Sequence, residues 1–427
     1  MTSPPEPGRP RVAARASPRA VLGGAVIAVL VALGLYAAAP WLLPVRIIEG
    51  PMLQMAGSDG VTLVWYTTRP AHCDVQVTVD GQIQTVAAVA EGRRHRVRLT
   101  GLAPGTPYPY EIRSADRRLT DDLVFQTNRV SGERFSFLVF GDSGRGTRAQ
   151  YLLAEEMNRV EPPADFLLHT GDLVYTDGAR RRYEARFFAP YRRLLARVNF
   201  WPCLGNHDVN RSDTTVPHSE GGSAAAYEEV FEVPMNGPPG LPPKYNYWFD
   251  YATARVVVID SNADEGVLRD QVAPWLQQVL ADPAPRWRFV AFHHPPYTGG
   301  KYRGDLRIQR ALVPAIEAAS VDIVFNGHDH MYQRLRPLRG GQIVPDGEGV
   351  LYVITAAGGA SLYTPVAERP EYVAALNHLD FSFTQVSVAG DELTLRQIAL
   401  DGHVIDESTL HKAAPEQGTS QPASTPS

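Results

Sequence analysis

The chain has 427 residues, of which 44% are hydrophobic and 20% charged. That globular balance excludes a wholly disordered, collagen-like or multi-span membrane protein and leaves room for two or three domains. Its 41 basic and 46 acidic residues give a net charge of -5, so no nucleic acid is expected as a stable partner.

The first 19 residues carry Arg9, Arg11, Arg15 and Arg19 against the single acid Glu6, and no charge follows from Ala20 to Val45. Ala20 to Ala39 is long enough, at about 1.5 Å per helical residue, to cross the roughly 30 Å hydrocarbon core of a bilayer. Residues 1–19 therefore read as a cytoplasmic basic terminus and 20–44 as a transmembrane anchor or signal sequence, with everything beyond on the far side of the membrane. Ala37-Ala38-Ala39 would suit cleavage, but the run is long for a signal peptide, which favours a retained anchor. The protein is then membrane-anchored with an extracytoplasmic domain, or secreted if the segment is removed.

From residue 47 to 130, short alternating runs such as Val61 to Trp65, Val75 to Val79 and Tyr108 to Ile112 are separated by Gly and Pro, the texture of a small β-sandwich. The stretch LTGLAPGTPYPYEI (Leu99 to Ile112) resembles the fibronectin type III pattern. From 134 to 411 the texture becomes α/β, with apolar strands at Phe135 to Asp142, Asp165 to Asp172, Ala254 to Asp260, Trp287 to His294 and Val321 to His328. These read as interior sheet strands, and Phe383 to Leu410 as terminal antiparallel ones. Residues 412–427 lack large apolar side chains and are expected to be disordered. Cys73 and Cys203 are too few for a disulfide framework and read as buried small hydrophobes.

Candidate chemistry gathers at strand ends, where α/β sheets build their sites. The motifs are GDSG (Gly141 to Gly144), GDLVY (Gly171 to Tyr175), GNHD (Gly205 to Asp208), FHHPPY (Phe292 to Tyr297) and GHDH (Gly327 to His330). One Gly-Asp is often only a turn; five such motifs in this order carry weight.

With these motifs the chain resembles the calcineurin-like metallophosphoesterases, and more narrowly the purple acid phosphatases, over nearly all of Pro51 to Leu410. The resemblance implies a sandwich of two mixed sheets flanked by helices, preceded by a fibronectin type III-like domain and the N-terminal helix. It implies a binuclear metal centre, Fe3+ with Zn2+, Mn2+ or Fe2+. Carried over by motif position, Asp142 binds the first metal, Asp172 bridges both, and Tyr175 and His330 complete the first site. Asn206, His293 and His328 hold the second, and His207 contacts phosphate or protonates the leaving group, with Asn206 beside it. The implied activity is hydrolysis of a small phosphate monoester, with phosphodiester hydrolysis on nucleotides or lipid head groups as the alternative.

Elementary chemistry agrees. A carboxylate can bridge two ions about 3.5 to 4 Å apart, imidazole suits Zn and Fe, and hard oxygen donors suit the more highly charged ion. A phenol with a pKa near 10 ligates at neutral pH only beside a strongly acidic ion such as ferric iron, which makes Tyr175 the discriminating residue. Blander readings exist for each: Asp142 and Asp172 as turn formers, Tyr175 as a packed aromatic. His169 reads as a satisfied core histidine, and His294 should point to the opposite strand face from His293. Tyr297 could border the site. The loop Tyr297 to Arg310 has no histidine, unlike the plant enzymes; Lys301 and Arg303 could contact phosphate oxygens there. The stretch Ala179 to Arg197 has seven arginines and one glutamate, a solvated helix face or an anion-steering one.

Overall fold

The computed structural model describes residues 44–115, 117–132, 134–209 and 224–412. Residues 1–19, the candidate anchor apart from Pro44, His218 and the tail beyond Lys412 lie outside them. Among the described residues no helix is long and apolar enough to cross a membrane.

Two mixed sheets form the heart of the molecule. One has six strands in the order Asn199–Pro202, Phe166–His169, Arg134–Phe140, Ser382–Ala389, Glu392–Ala399, Val404–His411; the first three run parallel and the last three form an antiparallel meander. The other has seven, in the order Tyr247–Tyr251, Ala254–Val258, Trp287–Ala291, Ile323–Asn326, Leu351–Thr355, Tyr332–Leu335, Val373–Asn377, and four of these are parallel neighbours.

The strand alternation sorts side chains between two cores. Phe135, Phe137 and Val139 enter the core between the sheets, where Phe289 and Phe325 meet them, while Leu138 and Phe140 face a helical layer. On the second sheet Val256, Phe289 and Phe325 point inward, and Val257, Val290 and Val324 meet helix Ala273–Leu280 and its neighbours. Strands covered on both faces must be apolar throughout, which is why they read as unbroken hydrophobic runs. Because the parallel strands share one direction, Phe140, His169, Pro202, Val258, Ala291 and Asn326 end on one rim of the molecule. The five motifs therefore converge there.

The preceding β-rich segment forms two further sheets, one containing Ile47–Gln54, Gly60–Thr67 and Arg94–Thr100, the other Asp74–Val79 and Pro107–Ser114. They share a core of Leu63, Trp65, Val97, Val75, Tyr110 and Phe125. The Tyr108 hydroxyl accepts a 2.7 Å bond from the Ala103 N–H and so fixes the turn before its strand.

The arginine-rich stretch is only in part a solvated face: Arg181, Arg193 and Arg197 are exposed, while two of its cations, Arg180 and Arg192, tie the β-rich segment to the larger domain. Arg180 bonds the Glu49 carboxylate and Glu229, and its guanidinium lies 4.4 Å from the centroid of Tyr66. Arg192 donates to the Ile48 carbonyl, and the Tyr110 hydroxyl donates to the Ala196 carbonyl. Alongside, Arg94 pairs with Glu232 at 2.5 Å. Cys73 and Cys203 are both free thiols and both buried. Lys412, expected to begin the disordered tail, is instead bound to Asp322 at 2.8 Å and lies over the Trp287 ring.

Candidate metal centre

At the ends of their strands Asp142, Asp172 and His328 adopt left-handed backbone angles, φ 55°, 58° and 69°, a conformation that costs a non-glycine residue of order 1 kcal/mol or more. Glycines before His328 and before Asn206 make the crowding possible. A Cβ on Gly327 would sit 2.6 Å from an Asp142 carboxylate oxygen and 2.8 Å from His293 Nδ1, and one on Gly205 would collide with the Asp172 carboxylate. Neither position can carry a side chain while the carboxylates stay where they are.

Seven of the sequence-predicted residues come together in two groups. In the first, the Tyr175 hydroxyl lies 3.1 Å from Asp142 Oδ1 and 2.9 Å from His330 Nε2, and that nitrogen is 3.3 Å from Asp142 Oδ1. In the second, Asn206 Oδ1 lies 3.0 Å from His293 Nε2 and 3.1 Å from His328 Nδ1. Asp172 stands between the groups, with Oδ1 3.6 Å from His293 Nε2, and Asp142, Asp172 and His330 present donor atoms within 4.8 Å of one another.

The outer hydrogen bonds decide what these atoms can do. His293 Nδ1 faces the Thr170 carbonyl at 2.9 Å, and His330 Nδ1 faces the Ser361 carbonyl at 2.8 Å. A carbonyl only accepts, so each Nδ1 carries the proton and each Nε2 turns a lone pair toward Asp172, Asn206 or Asp142. Lone pairs and carboxylates pointing at one another call for a cation, and backbone carbonyls behind ligating histidines are the usual support for one. The donor set fits a pair of metal ions.

Electrostatics point the same way. Burial would raise Asp172, but His293, His207 and the His207 N–H outweigh it and hold the carboxyl at about 2. Burial, with His293 nearby, lowers His328 to about 3 and keeps it a neutral donor. Burial and then Asp142 and Asp172 push the Tyr175 phenol well above its ordinary value, so without an ion it is a neutral hydroxyl. Asp208, last residue of GNHD, braces the loops by accepting from the N–H groups of Leu173, Val174 and Gly205.

His207 flanks the cluster. Its Nδ1 is 2.6 Å from the Thr176 carbonyl, its Nε2 is 3.9 Å from Asp172 Oδ2, and its ring lies 4.6 Å from that of Tyr175. Lys301 is brought to the rim, its ammonium 4.1 Å from the Tyr363 ring centroid, whereas Arg303 is exposed on the same loop without a contact to the cluster. Tyr297 packs against Tyr352 and Tyr372, away from it. His169 is a core histidine bonded by Ser143 and Gly171.

His294 departs from expectation. Alternation along a strand would send it to the face opposite His293, but the strand ends at Ala291 and both rings lie in the same pocket, 5.0 Å apart. Sequence reasoning also missed Tyr302, stacked on His328 at 4.6 Å, Tyr363, stacked on His330 at 4.0 Å, and Arg145, over the Tyr175 ring at 4.7 Å. Ring stacks between distant loops leave no spacing to read.

The family model for calcineurin-like phosphoesterases matches residues 135–332, a span containing every residue of the cluster. The chain carries a calcineurin-like phosphoesterase domain. Purple acid phosphatase 21 of Arabidopsis thaliana is 26% identical over 304 residues, covering 70% of this chain and 65% of its own length; the chain thus spans slightly under two thirds of that relative. Acid phosphatase type 7 of Mus musculus is 24% identical over 410 residues, 83% of this chain and 89% of the mouse protein. The purple acid phosphatase from yellow lupin (Lupinus luteus) seeds superposes with a TM-score of 0.72 over 85% of this chain and 74% of its own, at 18% identity, so the phosphoesterase domain shares its fold.

Proposed function

We propose that the protein is a purple acid phosphatase-like phosphoric ester hydrolase that cleaves small phosphate monoesters at a binuclear ferric and divalent centre. The observation that carries this is the Tyr175 hydroxyl between Asp142 and His330 in a buried pocket. A phenol held high by burial loses its proton only to a strongly acidic ion, which selects ferric iron for that half. Asp142, Tyr175 and His330 are assigned to the first ion, Asn206, His293 and His328 to the second, and Asp172 to both. When bound, such a centre supplies Lewis acidity and an activated water for in-line displacement.

The chain's own groups supply the rest. His207 Nδ1 is committed to Thr176, so Nε2 is the nitrogen turned toward the site; it donates a proton to the leaving oxygen only as imidazolium. Asn206 and Lys301, and Arg303 from the exposed loop, are assigned to substrate. The same proposal places the catalytic domain outside the cytoplasmic membrane, held by residues 20–44 if they are retained, and reads the N-terminal sandwich as fibronectin type III-like.

The test is the visible spectrum of the purified protein beside Tyr175→Phe. A purple band in the wild type that vanishes in the variant is expected for tyrosinate on ferric iron. A colourless protein that still hydrolyses esters would replace the ferric assignment with a Zn or Mn centre, and side-by-side rates on a monoester and a diester would then decide between phosphatase and phosphodiesterase.

A further inference from the structure

The pocket beside Asn206 holds three imidazoles where the motif positions account for two. The rings of His293, His294 and His328 form a nearly equilateral triangle, with centroids 5.0, 4.7 and 5.1 Å apart. One nitrogen from each lies within 4.8 Å of the others, and His293 and His294 are buried. His294 is also held in place: its Nδ1 is 2.8 Å from Ser261 Oγ, and the same hydroxyl accepts from the His294 N–H at 3.1 Å. Pro295 and Pro296 follow directly, and with φ fixed in both they stiffen the turn that brings two consecutive histidines to one side.

We propose that His294 is a third imidazole ligand of the second ion, so that this half of the centre binds through His293, His294 and His328 together with Asn206 and the shared Asp172. With Nδ1 engaged by Ser261, Nε2 is the nitrogen assigned to the ion. The inference rests on the two-metal reading given above. It divides the centre chemically. The first half has an anionic oxygen set, Asp142 and Tyr175, suited to a trivalent ion; apart from the shared Asp172, the second has a neutral, nitrogen-rich set that suits Zn or another late divalent ion and disfavours Mg or Ca. It also leaves fewer open positions on the second ion, so substrate must bind that side with less freedom.

The experiment is removal of metal from the full chain with a chelator and stepwise return of Co2+, followed by absorption and by metal analysis, for the wild type, His294→Ala and Ser261→Ala. The wild type is expected to take two equivalents. His294→Ala should keep one and bind the other at least about 100-fold more weakly, with an altered Co2+ spectrum for that equivalent. Ser261→Ala keeps every imidazole but loosens one, and should cost about 10-fold, the lower end for an outer hydrogen bond; it carries the test if His294→Ala does not fold. Unchanged affinity and an unchanged spectrum in both variants overturn the assignment while leaving the two-metal reading intact. A wild type that binds fewer than two ions overturns both. A His294→Ala protein with normal metal binding and only a raised KM overturns it too, in favour of a substrate contact.

Discussion

The N-terminal sandwich and the phosphoesterase domain are both built from two packed sheets, yet they treat buried polar groups in opposite ways. In the sandwich the buried histidine His95 faces no other ligand-type group: its Nε2 meets Thr67 at 2.8 Å, its ring stacks on Trp65, and its buried Nδ1 has no hydrogen-bond partner among the described residues. In the phosphoesterase domain Asp142, Asp172, His293 and His330 are equally buried, but their donor atoms face one another. The difference lies at the strand ends. The larger domain's parallel strands stop together on one rim and run into strained, glycine-flanked turns, whereas the sandwich strands end in separate surface loops. Two-sheet packing gives stability in both; converging strand ends give chemistry in one.

The sharpest way to separate the two is at the site itself. His207→Ala should lower turnover by about 10²- to 10⁴-fold, the usual worth of an acid-base group, with metal content and unfolding temperature unchanged. Loss of metal in that variant would move His207 into the ligand set.

A smaller effect is expected at the seam. Arg180→Ala leaves the nearly buried Glu49 without its guanidinium and should cost about 1 to 3 kcal/mol in urea unfolding. Turnover at low denaturant should stay within a few-fold of normal, and a larger fall would mean that the seam reaches the chemistry.

The smallest effect compares the two cores in the metal-free protein. Burial lowers His95 to about 4 and His169 to about 3, so below the ordinary value of about 6.5 the unfolded chain takes up protons that the folded chain refuses. Stability therefore falls as pH drops from 6.5 toward 4, by roughly 1 kcal/mol per histidine one unit below that value. His293 opposes this in the larger domain, because Asp172 and Asp142 outweigh its burial and raise it. His95→Gln should remove only the sandwich's share of the acid loss, read as a flatter dependence of unfolding temperature on pH.

Much of the rim was legible because each element there has a local signature: an unbroken apolar run, then glycine, then a ligand-type residue. What was not legible depends on pairing across the chain. The placement of His294 was missed because strand alternation was carried three residues past Ala291, where the ladder has already ended. The role of Arg180 was missed because Glu49 and Glu229 are distant in sequence and nothing in the arginine run announces them. Tyr302 and Tyr363 cap the imidazoles from loops whose composition reads as ordinary surface.

The segment that begins at Arg180 has one further consequence. Arg180 grips Glu49 of the sandwich, and six residues on Arg186 donates to the Tyr175 carbonyl, so a single short stretch holds the neighbouring domain with one hand and the proposed colour-bearing residue with the other. Trimming this protein to its phosphoesterase half would therefore not be a neutral economy of length: it would unmoor the strut on which the Tyr175 loop leans. A shortened version would be expected to show the injury as a shifted or broadened absorption band before it showed it as lost fold.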